Sequence, residues 1–143
     1  MSATETNPGR ILASAVDEEI SKFRACQEEL QRIRQDLSTV MGQETENEMV
    51  AMELDVLKDE DKVFKQLGPV LMRQDLEEAK GTVSKRLEFI RSEKKRLEQK
   101  ANETEERGNA LAVKIQKMQA GLQQTTADAV RAIAQQHGGT TAS

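Results

Sequence analysis

Val63 to Asp75 read VFKQLGPVLMRQD, and this stretch decides the fold. Two short apolar runs, rich in Val, Leu, Phe and Met, lie on either side of Gly68-Pro69, a pattern typical of a β-hairpin. Gly68 can adopt the positive φ that the first central position of a type II′ turn requires, and Pro69 fixes a negative φ at the second. Strand composition and turn chemistry therefore predict the same hairpin.

The predicted hairpin has a defined register and two mixed faces. One face carries the pairs Leu67 with Val70, Lys65 with Met72 and Val63 with Gln74, and the other carries Phe64, Gln66, Leu71 and Arg73. A two-stranded ribbon is marginal in water, and both of its edges leave N–H and C=O groups unpaired. It must fold back onto its own helices or join strands of other chains. The second arrangement is favoured, because long flanking helices offer little surface to cover a sheet.

The composition limits the size of any core. Of 143 residues, 32% are charged and only three are aromatic, all of them Phe. High contents of Glu, Lys, Arg, Gln, Leu and Ala indicate long helices that bury a narrow seam. The fold class predicted is therefore mainly α, a long antiparallel coiled-coil helical hairpin with one β-hairpin between the helices.

Charge and cysteine content exclude several classes of protein. The 21 basic and 25 acidic residues give a net charge of −4 and are interspersed, whereas a nucleic-acid-binding protein normally shows a clustered basic face. The single cysteine, Cys26, excludes an internal disulfide and fits a reducing compartment. No run approaches a transmembrane length, and the N-terminus lacks an apolar signal core. We expect a cytoplasmic protein without nucleic-acid or membrane partners.

The first predicted helix spans residues 10–57, after a flexible tail at residues 1–9. Its seam positions recur at alternating steps of four and three, with polar interruptions at Gln27 and Arg34: Val16, Ile20, Phe23, Gln27, Leu30, Arg34, Leu37 and Met41. Beyond Leu30 a second stripe of Ile33, Leu37 and Val40 competes with the first, so the register there stays open. The apolar residues between Met49 and Leu57 predict that the end next to the hairpin is the better buried one.

Residues 58–75 form the acidic connector and the hairpin, which together constitute the predicted assembly element. Asp75 is a suitable N-cap for the second helix, predicted over residues 76–134 and followed by a flexible tail at 135–143. This helix has one continuous seam: Leu76, Val83, Leu87, Ile90, Lys94, Leu97, Ala101, Thr104, Gly108, Leu111, Ile115, Met118 and Leu122. Counting back from the hairpin, antiparallel packing places Phe23 near Gly108 and Leu30 near Ala101.

Both predicted helices carry apolar residues at the ends remote from the hairpin. The candidates for binding another protein there are Ile11, Leu12, Val16, Val130 and Ile133. At these ends the least protein is available to bury them. Ordinary seam packing at fraying ends explains the same residues equally well, and the periodicity alone does not separate the two interpretations.

The sequence contains no recognisable active site, and we expect no enzyme activity, cofactor or metal. His137, the single histidine, lies in a Gly-rich tail without an oriented partner, and Cys26 has no basic cluster near it that would activate a thiol. A basic cluster comprises Arg91, Lys94, Lys95, Arg96 and Lys100, but Glu88, Glu93, Glu98 and Glu103 are interleaved at helical spacing. A solvated face with ion pairs is therefore favoured over a ligand site.

The hairpin region combines several motifs in a fixed order. ENEMVAMEL at Glu46 to Leu54 is followed by the acidic connector and then by VFKQLGPVLMRQDLEEAKGTVSKRLEFI at Val63 to Ile90. This combination resembles the β-class subunits of the prefoldin family. A single hairpin between the helices fits the β class, since α-class subunits carry two.

The resemblance implies an assembly and a function. It implies a hexamer of two α-class and four β-class subunits, whose hairpins join in a β-barrel body; here that role would fall to Val63, Phe64, Leu67, Gly68, Pro69, Val70, Leu71 and Met72. The coiled-coil tips of the family hold non-native actin and tubulin and pass them to the group II chaperonin without ATP. By position, the remote apolar residues named above become candidate client contacts.

An alternative from another class of protein stays open. A structural or scaffolding coiled coil could oligomerise through the same hairpin and bind one folded partner. Preference for unfolded over folded clients would separate the two functions.

Overall fold

Two long helices flank one β-hairpin in the computed structural model, which describes residues 7–140. The elements are α1 (Pro8–Asp55), β1 (Val63–Leu67), β2 (Val70–Gln74) and α2 (Leu76–Thr140). The chain divides into a terminal unit, Met1–Leu30 with Glu103–Ser143, and a hairpin unit, Gln31–Asn102. The predicted mainly helical fold with a single hairpin between two helices is confirmed.

Ion pairs show how the helices run in each unit. In the terminal unit Glu29 pairs with Arg107 at 2.7 Å, and Glu19 pairs with Lys114 at 3.2 Å. In the hairpin unit Glu48 pairs with Arg91 at 3.0 Å, and Glu44 pairs with Lys94 at 2.8 Å. Lower numbers on α1 meet higher numbers on α2 in both cases. Each unit is therefore an antiparallel helix pair.

α1 begins two residues earlier than the sequence predicted. The Asn7 side-chain Oδ1 accepts a hydrogen bond from the Gly9 N–H at 3.0 Å, and Pro8 occupies the first helical position, where its missing N–H is not needed. Asn7-Pro8-Gly9 therefore starts the helix instead of ending a tail. Residues 1–6, the rest of the predicted tail, lie outside the described part of the chain.

The other helix boundaries are set by the connector and by the cap of α2. α1 ends at Asp55, and the Lys58 N–H donates to the Asp61 carboxylate at 2.7 Å in the turn that follows. Asp75 caps α2 by accepting from the Glu78 N–H at 3.3 Å. α2 continues to Thr140, past the end predicted at residue 134. Glycine in a helix costs about 1 kcal/mol relative to alanine and does not by itself stop the helix.

The hairpin has the predicted register throughout. The strands are antiparallel, with Leu67 opposite Val70 at the turn and Val63 opposite Gln74 at the base. Gly68 has a φ of 59°, as the first central position of a type II′ turn requires. The turn chemistry and the alternation of side chains are therefore sufficient to fix this element.

The buried seam of α2 is the predicted one, but the seam of α1 differs from prediction. α1 buries Val16, Glu19, Cys26, Leu30 and Ile33, whereas Gln27, Arg34 and Met41 are exposed. Glu19 and Cys26 occupy the seam because each finds a partner there. The Cys26 thiol donates to the Thr104 carbonyl at 3.2 Å, and the Glu19 carboxylate binds Lys22 and Lys114.

The predicted pairing of Phe23 with Gly108 is wrong by about one helical turn. A Cβ atom at Gly108 would lie 3.4 Å from the Cys26 sulfur. Cys26 therefore faces the glycine. The shift follows from the corrected seam of α1, which includes Cys26 in place of Gln27.

The hairpin unit has a small apolar core next to the strands. Leu54, Leu76, Ala79, Val83 and Leu87 form it, with Ala51, Leu57 and Val63 packed against it. The prediction that the end of α1 is well buried is wrong for Met49, Val50, Met52 and Val56, which are exposed. A seam between two helices accepts one stripe from each helix, and Ala51 and Leu54 fill it here.

The two glycines Gly68 and Gly81 should respond oppositely to alanine. Gly68→Ala forces an L-residue into the left-handed region and should lower the free energy of unfolding by about 1–2 kcal/mol. Gly81 lies within α2, and a Cβ atom added there would meet nothing within 4 Å. Gly81→Ala should therefore raise the free energy of unfolding by about 0.5–1 kcal/mol. Urea unfolding followed by circular dichroism tests both; effects of the same sign would contradict the assigned turn.

Candidate functional site

The hairpin exposes apolar side chains on both of its faces, and we call these side chains together the hairpin surface. Its exposed members are Phe64, Leu67, Val70, Leu71 and Met72. Val63 differs, since it is half-buried against the core of the hairpin unit. Gly68 and Pro69 form the exposed turn. The structure thus brings all the residues predicted for assembly into one ribbon.

Both edges of the hairpin are open in the described part of the chain. The sheet contains only β1 and β2, paired with each other, so the outward N–H and C=O groups of each strand have no strand opposite. Such edges bind additional strands by main-chain hydrogen bonds, while pockets for alternate side chains give specificity. The hairpin can therefore extend in both directions when other chains supply strands.

The predicted contacts at the helix ends fall into two groups. Val130 is 61% exposed and Ile133 57% exposed on α2, and Ile11 is 57% exposed near the start of α1. Leu12 is partly buried, and Val16 is only 5% exposed in the seam. Val16 is thus a packing residue in this structure, and the accessible candidates are the other four.

The end of α2 extends past the start of α1 within the terminal unit. Continuing the pairing of Glu19 with Lys114 at equal rise places Pro8 opposite Thr125. The side chains of residues 123–137 are all exposed, as expected for a helix segment without a partner. Val130 and Ile133 lie in this segment, on a helix with no α1 residue to cover it.

The basic cluster on α2 is largely neutralised by ion pairs. Arg91 binds Glu44 and Glu48, at 3.6 and 3.0 Å, and Lys94 binds Glu44 at 2.8 Å. Arg96 binds Glu93 on its own helix. The predicted solvated face with ion pairs agrees with these contacts. Lys94 on the seam of α2 binds Glu44 on the seam of α1. Each of these polar residues is therefore paired within the seam.

Cys26 and His137 lie in different surroundings. The Cys26 thiol is buried, donates to the Thr104 carbonyl and lies beside the Arg107 guanidinium, whereas His137 is exposed on α2. Among residues 7–140, His, Cys, Asp and Glu side chains form no group of three or more able to hold a metal ion. Neither helix contains, in its described residues, a stretch long and apolar enough to cross a membrane.

Phe89 is an exposed residue that the sequence analysis overlooked. It is 73% exposed on α2 in the hairpin unit, one position before the seam residue Ile90. A large aromatic residue directly off the seam is itself a signal, because the heptad pattern provides no place to bury it.

The sequence matches the family described as "Prefoldin subunit" over residues 17–122. It is 38% identical over 119 residues to a probable prefoldin subunit 6 of Caenorhabditis briggsae, a match covering 83% of this chain and 93% of the relative. It is 44% identical over 87 residues to prefoldin subunit 6 of Arabidopsis thaliana, a match covering 61% of this chain and 67% of the relative. It is 35% identical over 109 residues to prefoldin subunit 6 of Homo sapiens, covering 76% of this chain and 84% of the relative.

The fold is also similar to that of a solved structure. The crystal structure of the prefoldin beta subunit from Thermococcus strain KS-1 superposes with a TM-score of 0.69 at 21% identity, covering 72% of this chain and 90% of that one. At this identity the likeness concerns the fold. It agrees with the single hairpin between two helices.

The ion pair of Glu44 and Lys94 predicts a pH dependence. The hydrogen bond from Lys94 lowers the pKa of Glu44, and the same bond raises the pKa of Lys94. Stabilisation by Glu44 is therefore complete above the pKa of an unfolded Glu, about 4.3, and is lost as the pH falls through its lower folded pKa. Stabilisation by Lys94 is lost only as the pH rises above about 10.4, through its raised folded pKa.

Glu44→Gln should therefore reduce the loss of thermal stability on acidification. We expect the Tm of the variant to fall less steeply than that of the wild type between about pH 6 and pH 3, because one carboxylate with a lowered pKa is removed. Glu46→Gln, a change of an exposed carboxylate on the same helix, is the matched control. Equal slopes for Glu44→Gln and the wild type would contradict the assignment.

Proposed function

This chain belongs to the prefoldin subunit family, and from that premise we propose that it is a β-class subunit of a hetero-hexameric prefoldin co-chaperone. Its partners in the hexamer are other α- and β-class subunits. The complex captures non-native proteins, actin and tubulin among them, in the cytoplasm and transfers them to the group II chaperonin without ATP. The observation that carries this proposal is a hairpin with two open edges and an exposed apolar surface.

Assembly through the hairpin follows from what the isolated strands lack. Two strands leave half of their main-chain groups unpaired, and a hairpin alone is marginally stable. Strands of neighbouring subunits would satisfy these groups at both edges, and curling of the enlarged sheet into a barrel would cover the apolar side chains on one face. The apolar side chains on both faces suit a closed barrel, in which no edge remains open.

Capture of clients is assigned to the unpaired end of α2 and to the start of α1. The exposed apolar side chains there are Ile11, Val130 and Ile133, with the partly buried Leu12. Ile11 also lines an open groove of about 430 Å³ along the start of α1. Each contact is weak, but several subunits acting together raise the overall affinity by effective concentration. Weak individual contacts also allow release, which transfer to a chaperonin requires.

The second candidate, a scaffold that binds one folded partner, is supported by the same open hairpin. It predicts selective binding of a native protein at the helix ends. The exposure of Val130 and Ile133 along a helix end whose side chains are all exposed over residues 123–137 favours the chaperone.

Polar changes on the hairpin surface should prevent assembly. In co-expression with α- and β-class subunits, Leu67→Thr combined with Leu71→Thr should reduce incorporation into the six-chain complex by about tenfold or more, because two apolar contacts at the interface are lost. Thr retains strand propensity, so the hairpin itself persists. Native mass spectrometry measures the complex, with the exposed helical change Val113→Thr as control. Wild-type chains that form no hexamer, or full incorporation of the double variant, would refute the proposal.

Polar changes at the end of α2 should affect clients and leave assembly unchanged. Val130→Ser with Ile133→Ser should increase the aggregation of chemically unfolded actin in the presence of the hexamer, because the contact area at one tip is reduced. Light scattering measures the aggregation, and Val113→Ser on the same helix is the control. Unchanged protection, or equally strong binding of folded actin, would favour the scaffold.

A further inference from the structure

A groove at the base of the hairpin is left open by the chain's own fold. It has a volume of about 200 Å³ between the start of β1 and the two helices, with Val50, Phe64 and Arg86 in its lining. A shallower groove of about 370 Å³ continues from it along α2 to Phe89, and the two share Thr82 and Arg86. We call the pair the hairpin-base groove. All of it lies in the hairpin unit.

The hairpin-base groove contains two of the three Phe residues in the chain. Phe64 is 53% exposed and Phe89 73% exposed, while the core beneath them is filled by Leu54, Val83 and Leu87. An aromatic side chain that is buried at an interface contributes strongly to the free energy of binding, and a side chain left in solvent does not. Phe64 also belongs to the hairpin surface. The groove is therefore a continuation of the assembly surface onto the helices.

The charge at the hairpin-base groove is entirely positive. Lys65, Lys85 and Arg86 line it, and no Asp or Glu does. Within the described residues none of these three cations forms an ion pair or side-chain hydrogen bond, in contrast to Arg91 and Lys94 nearby. An occupant should accordingly combine an apolar side chain with carboxylates.

In this chain the end of the first helix has this chemistry, and we take the same segment of a related subunit as the model for the occupant. At 100° per residue, Met52 lies about 160° around α1 from the seam residue Leu54, on the outer face of the helix, and Val56 follows directly after the helix ends at Asp55. Both are exposed, and the neighbouring Glu53 and Asp55 are exposed carboxylates without an ion pair among the residues described. The end of a first helix thus presents an apolar ridge flanked by acids, complementary to the groove.

We propose that the hairpin-base groove receives the acid-flanked outer face at the end of the first helix of a neighbouring prefoldin subunit. The contact is head-to-tail, with a ridge on one subunit and a groove on the next, a type of contact that can close a ring of subunits. Phe89 and Phe64 bury the apolar side chains, and Lys85 and Arg86 bind the flanking carboxylates. This inference rests on the proposed function, since it needs a neighbouring subunit, and it adds a helical contact to the strand pairing.

Photo-crosslinking in the assembled hexamer tests this contact. A benzophenone amino acid replaces Phe89, and in a control chain it replaces Val113, which is exposed elsewhere on α2. Without client, we expect Phe89 to crosslink to one neighbouring subunit, at the end of its first helix, at least about tenfold more than Val113 does. An intact hexamer with no such crosslink, or with a crosslink to another segment or to added client alone, overturns the inference and leaves the proposed function standing. Failure to form a hexamer refutes both.

Charge reversal tests the role of the cations. Lys85→Glu with Arg86→Glu should speed dissociation of this subunit from the hexamer by about tenfold, because carboxylates would then face carboxylates. Lys85→Arg with Arg86→Lys keeps the charge and should leave the rate within about twofold. Replacing acidic residues by Lys in the crosslinked segment of the neighbouring subunit should restore slow dissociation of the charge-reversed variant. Equal dissociation of the reversed and charge-preserving variants would contradict the assignment.

Discussion

A seam between two helices can bury only one stripe of side chains from each, and the rest of this structure depends on that limit. α1 and α2 use their seams on each other in both units, so every apolar residue off the seam stays in solvent. This applies to Phe89 and Met52. It also applies to the hairpin, of which only Val63 packs against the core between the helices. The exposed surfaces result from a fold that has two helices and no third layer in its described residues.

The polar residues in the seams show what such a narrow interface tolerates. Glu44 and Lys94 face each other. The Cys26 thiol donates to the Thr104 carbonyl, and the Cys26 sulfur lies next to Gly108. A buried polar group is costly without a partner, so these positions are acceptable only in the observed register. Pairs of this kind favour one alignment of the two helices over alignments that are shifted by one turn. A seam made only of apolar residues would favour that alignment less strongly.

The sequence was sufficient for the hairpin and for α2, and insufficient for α1. Gly68-Pro69 determines the turn and the turn determines the register, since a slip of one residue would exchange the two faces. The seam of α2 keeps one register from Leu76 to Leu122, with Lys94 and Thr104 as its polar positions, so it follows from spacing. In α1 the seam includes Glu19, Cys26 and Glu44, each of which has a partner on the other helix, and Glu19 also binds Lys22 of α1. Hydropathy along one helix cannot supply those partners, and the register of α1 therefore required the structure.

The assembly residues were predicted as a set because one ribbon carries them, whereas the helix-end residues were predicted only by position. Val16 illustrates the difference: its place near the start of α1 suggested exposure, but α2 still lies opposite it and buries it. Phe89 was overlooked for the converse reason. It lies in the middle of a heptad helix, where packing is assumed, and only the completed seam shows that no space remains for it.

The proposed completion of the hairpin by partner strands can be measured by amide hydrogen exchange. In the isolated chain, the amides of Val63–Leu67 and Val70–Gln74 that do not bond across the hairpin should exchange rapidly. In the hexamer the same amides of both strands should become protected, since each edge gains a neighbouring strand. Unchanged exchange at both edges in a hexamer would show that the subunits are held together by other contacts and would contradict strand pairing.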